Sequence, residues 1–244
     1  MRTTLAVWVF VGVALVGLDS ALAEPAIECD PDALVVAITE ANMQGSGQIR
    51  LAANCIYSIT TPATGNEGLP VITGDIAIVG GKNTTIARAP QAQSTFRIIT
   101  VDPTGKLTLR KLSIEGGNTP SLGGGILNNG TLELRAVTLR SNTAGNGGGL
   151  AVAAGATATV SKSALILNNT TGVGGGGFIN SGVITVKKSM IANNFAPING
   201  GGVNTQGSGE TTVVDSTFQF NGSGSLGGAL SNLCLLYTSP SPRD

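Results

Sequence analysis

The sequence predicts an all-β protein: a single-stranded parallel β-helix closed at its N-terminal end by a short capping helix. Three observations lead there. Glycine runs ending in an apolar residue recur as Gly123–Ile126, Gly147–Leu150, Gly175–Phe178, Gly200–Val203 and Gly227–Leu230, with apolar ends 24 to 28 residues apart. That interval is the length of one solenoid coil. A second motif, apolar-x-x-Asn, keeps step with the first as Leu139–Asn142, Leu165–Asn168, Ile191–Asn194 and Phe218–Asn221. The segments between them ("LTLRKLSI", "TLELRAVTL", "TATVSKSALIL", "GVITVKKSMI") alternate or run apolar with β-branched residues, the mark of short strands.

The elements follow in chain order. Arg2, the apolar run Leu5 to Leu18 and the small-x-small site Ala21-Leu22-Ala23 read as a secretory signal peptide over residues 1–23. A membrane anchor is the competing reading, but a spanning helix needs about 20 apolar residues. Residues 24–47 form the cap. Asp30-Pro31 supplies an N-cap and a first helical residue. Ala33, Leu34, Ala37, Ile38 and Ala41 then give a helix over Asp30–Ala41 an apolar face, and Gln44–Gly47 ends it. Such a cap is required because a solenoid exposes its interior at each end.

Residues 48–233 form the β-helix. Its coils are Ile49 to Thr60, Leu69 to Gly80, Thr85 to Val101 and the five marked by glycine, about seven or eight in all. No second cap is visible, which suggests a longer natural chain. Residues 234–244, "CLLYTSPSPRD", resemble the in-frame translation of a sequencing adaptor and fit nothing before them.

The full chain carries 14 Lys+Arg and 14 Asp+Glu and no His. Setting aside both ends removes Arg2, Arg243, Asp19 and Asp244, two from each sign, so the remainder is neutral. A neutral chain with few aromatics carries no electrostatic footprint for nucleic acid. Without Cys234, Cys29 and Cys55 remain, an even pair that an oxidising compartment would bridge. Two buried free thiols are the alternative.

The glycines supply positive φ and close approach at corners. The apolar residue after each run turns inward. Asn142, Asn168, Asn194 and Asn221 hold a constant offset from the apolar column. Asparagine tolerates the left-handed region and bonds backbone groups at bends. The four are therefore expected to stack as an internal ladder, in preference to standing as ordinary exposed turn residues. Ser163, Ser189 and Ser216 keep the same register, two residues before the apolar position.

The paired motifs resemble the GGA[ILV] and FxxN repeats of the polymorphic outer membrane proteins, surface-displayed bacterial β-helices of the autotransporter adhesin type. Gly227–Leu230 and Phe218–Asn221 match that pair well, and the other coils more loosely. The N-terminal part, "ECDPDALVVAITEAN" with "IRLAANCIYSIT" and "GLPVITGDIAIVGG", resembles exported bacterial right-handed parallel β-helix proteins, which place two cysteines as Cys29 and Cys55 stand here. These resemblances imply right-handed coils of the pectate-lyase-like kind. They also imply an extracellular or cell-surface location, at the outer membrane if an anchor follows, and a glycan or host surface protein as partner.

Enzymes on this fold mostly act on acidic polysaccharides. Hydrolases of that kind resemble one another in Asp clusters and a catalytic His, and this chain has neither. Asp75, Asp102, Glu115, Glu133, Glu210 and Asp215 are scattered singly along the coils, whereas acid/base work on a glycosidic bond needs two carboxyls about 5–9.5 Å apart. Lyases of this fold use calcium held by several carboxylates and an arginine base. Arg110, Arg135 and Lys187 share one predicted column, and Lys111, Lys162 and Lys188 the next, with no carboxylate cluster beside them. They read as a solvated basic edge able to touch an anionic glycan. No cofactor, metal site or phosphate loop is expected: no GK[ST] follows the glycines and no helix begins there. Asn83-Thr84-Thr85 and Asn168-Asn169-Thr170 are glycosylation sequons.

The expectation is thus a non-catalytic binding or adhesion module of a longer exported chain, with no membrane span in the β-helix. The alternative is a polysaccharide lyase or hydrolase whose active site lies partly in further coils.

Overall fold

A computed structural model describes residues 25–232 and the backbone of 236–238. The predicted signal peptide, Cys234 and most of the segment read as adaptor lie outside the described residues. The chain is an all-parallel β-solenoid of about seven turns, preceded by one helix, α1 (Pro31–Gln44).

One coil shows the plan. Strand Ile126–Asn128 belongs to a six-stranded sheet, Thr131–Arg135 to an eight-stranded sheet, Thr138–Arg140 to a seven-stranded sheet and Thr143–Asn146 to a five-stranded sheet. The next coil repeats all four, and each strand pairs in parallel with its equivalents above and below. The strands are three to five residues long because each side of the cross-section is short. An isolated strand of that length cannot hold itself. Stacking supplies hydrogen bonds on both edges, and coils follow one another at about 4.8 Å.

Parallel register places equivalent side chains in straight columns. Ile49, Ile78, Leu109, Leu134, Val160, Val186 and Val213 form one inward column of the eight-stranded sheet. Ile99 and the five residues closing the glycine runs, Ile126, Leu150, Phe178, Val203 and Leu230, form the column of the six-stranded sheet. Nearly all of these are fully buried, and together they make one continuous core.

The cap behaves as a lid. The Asp30 carboxylate accepts from the Asp32 backbone N–H, Pro31 opens α1, and Gly45 closes it at φ 77°. The helix runs three residues past the expected Ala41 because Gly45 is the first position to take the left-handed stop. Leu34, Ile38 and Ala41 are buried against the first coil. Asn42 anchors the far end: its Nδ2 donates to the Val71 carbonyl, and its Oδ1 accepts from Thr73 and Gly74 N–H. The first strand, Ser46–Arg50, begins within the range read as cap and already pairs with Asp75–Val79.

Tyr57 closes the interior beneath the lid. Its hydroxyl accepts from Ala52 N–H at 2.9 Å and donates to the Ile27 carbonyl. Burial pushes its pKa up, partly offset by the Ala52 N–H. Cys29 and Cys55 are joined, with Cα atoms 5.7 Å apart, so the segment before α1 is tied to the coil it covers. The loop so closed spans 26 residues, and the chain-entropy relation puts the bridge at about 3–4 kcal/mol. Replacing both cysteines by alanine is expected to cost that much in a denaturant melt. An unchanged midpoint would show that the lid holds without its staple.

At the other end, the backbone of Leu236–Thr238 pairs with Glu210–Val214 as an added strand. An open parallel edge accepts any extended segment of suitable length, so the pairing does not require that segment to belong to the repeat.

Candidate functional site

Two corners of the solenoid carry the polar side chains that the sequence repeats in register. The first joins the seven-stranded to the five-stranded sheet and holds the asparagines. Asn142 Nδ2 donates to Asn168 Oδ1 at 3.0 Å, Asn168 Nδ2 to Asn194 Oδ1 at 3.1 Å, and Asn194 Nδ2 to Asn221 Oδ1 at 2.9 Å. The second proton of each amide goes to a backbone carbonyl: Ile114 for Asn142, Leu139 for Asn168, Leu165 for Asn194 and Ile191 for Asn221. Each Oδ1 of the last three also accepts the backbone N–H of the asparagine one coil earlier. The first three are essentially buried, so the sequon at Asn168 is inside the protein.

One expectation is corrected here. The ladder asparagines are not the left-handed residues. Positive φ falls one position earlier, at Ser141, Leu167, Asn193 and Phe220. The preceding residue makes the bend and points outward, which leaves the asparagine free to turn in and bond.

The glycine runs explain why the two motifs keep step. A Cβ on the third glycine would meet the ladder amide: Gly125 against Asn142 Nδ2 at 3.0 Å, Gly149 against Asn168 at 3.1 Å, Gly177 against Asn194 Nδ2 at 3.2 Å. The glycine leaves the space that the asparagine fills.

The second corner joins the eight-stranded to the seven-stranded sheet, and here the basic residues lie. Arg110, Arg135, Ser161 and Lys187 are consecutive partners in one column. The next position is occupied by Lys111, Ala136, Lys162, Lys188 and Asp215, and all five adopt left-handed φ between 48° and 54°. The six cations are exposed.

Ser163, Ser189 and Ser216 hold these turns, a role the sequence reading left open. Each hydroxyl donates to the carbonyl two residues back, spanning the left-handed residue. Each also accepts an N–H from the preceding coil: Val137, Ser163 and Ser189 respectively. Asn128 and Asn180, likewise not anticipated, are buried at the ends of strands in the six-stranded sheet. Each accepts from the glycine two residues on, and the recurring Asn-x-Gly spacing was the available signal.

Beside the second corner runs an open groove of about 500 Å³ whose lining includes Lys162, Lys188, Thr138, Met190 and, at one end of the lysine column, Asp215. A smaller groove continues it past Lys111 toward Asn83. Asn83 is exposed and bonded to Asn54. Of the six cations, Arg135 pairs with Glu133. No side-chain hydrogen bond or ion pair engages Arg110, Lys111, Lys162, Lys187 or Lys188 among the described residues.

The carboxylates are dispersed. Glu67 pairs with Arg97 and accepts from the Thr100 hydroxyl. Burial lowers the Arg97 pKa and the Glu67 charge opposes that shift. This nearly buried pair fastens the irregular stretch around Thr64–Glu67 to the coil, and Arg97 also donates to the Leu122 carbonyl. Asp75 pairs with Lys106 on the surface, and Asp102 caps the Thr104 turn. Glu115 and Asp215 stand on different columns four coils apart, about 19 Å along the axis. Among the described residues, no three acidic, cysteine or histidine side chains converge on one point, and no helix is long and apolar enough to cross a membrane. No protein family, curated protein or solved structure matches the chain.

Proposed function

We propose that this chain is a non-catalytic binding or adhesion module of an exported or surface-displayed protein, using the solenoid as a rigid rod that presents a lateral surface. The observation that carries this reading is the division of labour among its ionisable groups. Four of the acidic groups on the coils, Glu67, Asp75, Asp102 and Glu133, are engaged in local pairs or turns. Five cations without an acidic partner, Arg110, Lys111, Lys162, Lys187 and Lys188, are gathered on one straight, exposed corner. Such a surface binds along its length and offers no carboxyl pair for acid/base chemistry. The resemblance of the Gly-Gly and apolar-x-x-Asn repeats to those of the polymorphic outer membrane proteins supports display at a cell surface, and the bridged cysteines accord with folding in an oxidising compartment.

The test is to incubate the full chain with a panel of acidic and neutral polysaccharides and with intact cells, following retention and the release of new chain ends together. Retention without cleavage is the expected result. Steady release of unsaturated or reducing ends from any acidic polymer would overturn the non-catalytic reading.

A further inference from the structure

The geometry points to a linear acidic polysaccharide as the ligand of the corner between the eight-stranded and seven-stranded sheets. It lies along the solenoid axis, with its anionic groups on Arg110, Arg135 and Lys187 and on Lys111, Lys162 and Lys188. This inference rests on the binding-module reading and names its ligand class and site.

Four features carry it. First, half of the twelve basic residues left after the two end segments are set aside lie within four successive coils of these two adjoining columns, in a chain whose net charge is zero. Five of the six have no acidic partner among the described residues, so the field of this edge is not cancelled locally. Second, three of the lysines occupy left-handed turns, at φ 54°, 48° and 49°. That conformation disfavours any side chain with a Cβ, and glycine or asparagine takes it most readily. A charge needed only for solubility has many unstrained positions open to it. Ala136 and Asp215 sit in the same turn, so the turn itself does not call for lysine. Third, in the row two residues before the basic column, where Thr108 is buried and Glu133 is turned to Arg135, Thr159 and Thr185 stand half-buried on the outward face. Their hydroxyls are the right partners for sugar hydroxyls. Fourth, coils advance by about 4.8 Å, close to the length of one pyranose unit. Successive sugars therefore meet successive coils without bending.

The strip has an end. Asp215 follows Lys188 in its column, and Val214 follows Lys187. From Arg110 to Lys187 is three coil steps, about 14 Å, which matches three to four sugar residues. Single-stranded nucleic acid fits less well, because its recognition relies on aromatic platforms for the bases and the residues of this corner include no aromatic side chain.

The experiment titrates the full chain with oligogalacturonates of two to eight units, sulfated oligosaccharides of the same lengths, neutral malto-oligosaccharides and an oligonucleotide, at low and physiological salt. Expected are salt-sensitive binding of acidic oligosaccharides and an affinity that rises to about four units and then levels. The carboxylate and sulfate arms tell which anion is preferred. The variant Lys111→Gly/Lys162→Gly/Lys188→Gly removes three charges while relieving three strained turns. It should bind about tenfold more weakly and melt no lower than the parent chain. Asp215→Lys should lengthen the strip by one coil and shift the plateau by one unit.

Undiminished binding by the triple glycine variant would overturn the inference, as would equal binding of neutral oligosaccharides or tighter binding of the oligonucleotide. Failure of every acidic oligosaccharide while the chain still adheres to cells would overturn this site and leave the binding-module reading intact. Cleavage of the ligand would overturn the reading on which the site rests.

Discussion

Replacing Gly176 by alanine is expected to destabilise the solenoid by about 4 kcal/mol or more, the range reserved for unrelieved backbone collisions. Gly176 is the second glycine of its run. A Cβ there would stand 2.5 Å from the Phe195 carbonyl oxygen and 2.7 Å from the Phe195 nitrogen, with the Gly201 carbonyl also in collision. All three are backbone atoms of the same or the next coil, so no rotamer change clears the space, and separating the strands would break the ladder. Gly155 is the matched comparison. It also lies in a turn, at φ 79°, but a Cβ there meets nothing within 4 Å. Gly155→Ala therefore carries only the left-handed cost, about 1 kcal/mol. Denaturant melts of the two variants should separate by several kcal/mol. Closely matched midpoints would mean that the coils are not packed at this corner as described.

Replacing Asn194 by leucine should cost about 3–5 kcal/mol. The side chain makes bonds in three directions: to the Leu165 carbonyl at 2.8 Å, to Asn221 Oδ1 at 2.9 Å, and, through its own Oδ1, to Asn168 N–H at 2.9 Å. Leucine has a similar shape and none of these groups. The Leu165 carbonyl and the Asn168 N–H would be left buried and unpaired, at about 1–3 kcal/mol each. Because coils depend on their neighbours, the loss should appear as fraying from the C-terminal side before global unfolding. Lys187→Ala, exposed and without a partner, should shift stability by less than about 0.5 kcal/mol. If the two variants melt together, the ladder contributes nothing and its asparagines are ornament.

Much of this was legible in the chain. The recurrence of the glycine runs with Ile126, Leu150, Phe178, Val203 and Leu230 predicted the stacked columns, because a parallel coil puts equivalent residues in register. The constant offset of Asn142, Asn168, Asn194 and Asn221 from those columns marked them as one set. Asp30-Pro31 and the glycine after Gln44 bounded the capping helix, since both act through local backbone preferences. The columns of Arg110, Arg135 and Lys187 and of Lys111, Lys162 and Lys188 followed from register alone.

Other features depended on how the coils meet. Which residue of each bend is left-handed was not readable. Ser141, Leu167, Asn193 and Phe220 share no side-chain chemistry, and the conformation is imposed by the asparagine that follows turning into the interior. The serine hydroxyls at Ser163, Ser189 and Ser216 bond both within their own turn and to the coil before, a second bond that no local pattern announces. The Glu67–Arg97 pair joins residues 30 positions apart across an irregular coil with no repeat to register it. Periodicity in the sequence thus determined the architecture and the columns, because those arise from repetition. Tertiary structure decided which polar groups close each corner and which cations remain free, because that depends on atoms brought together from neighbouring coils.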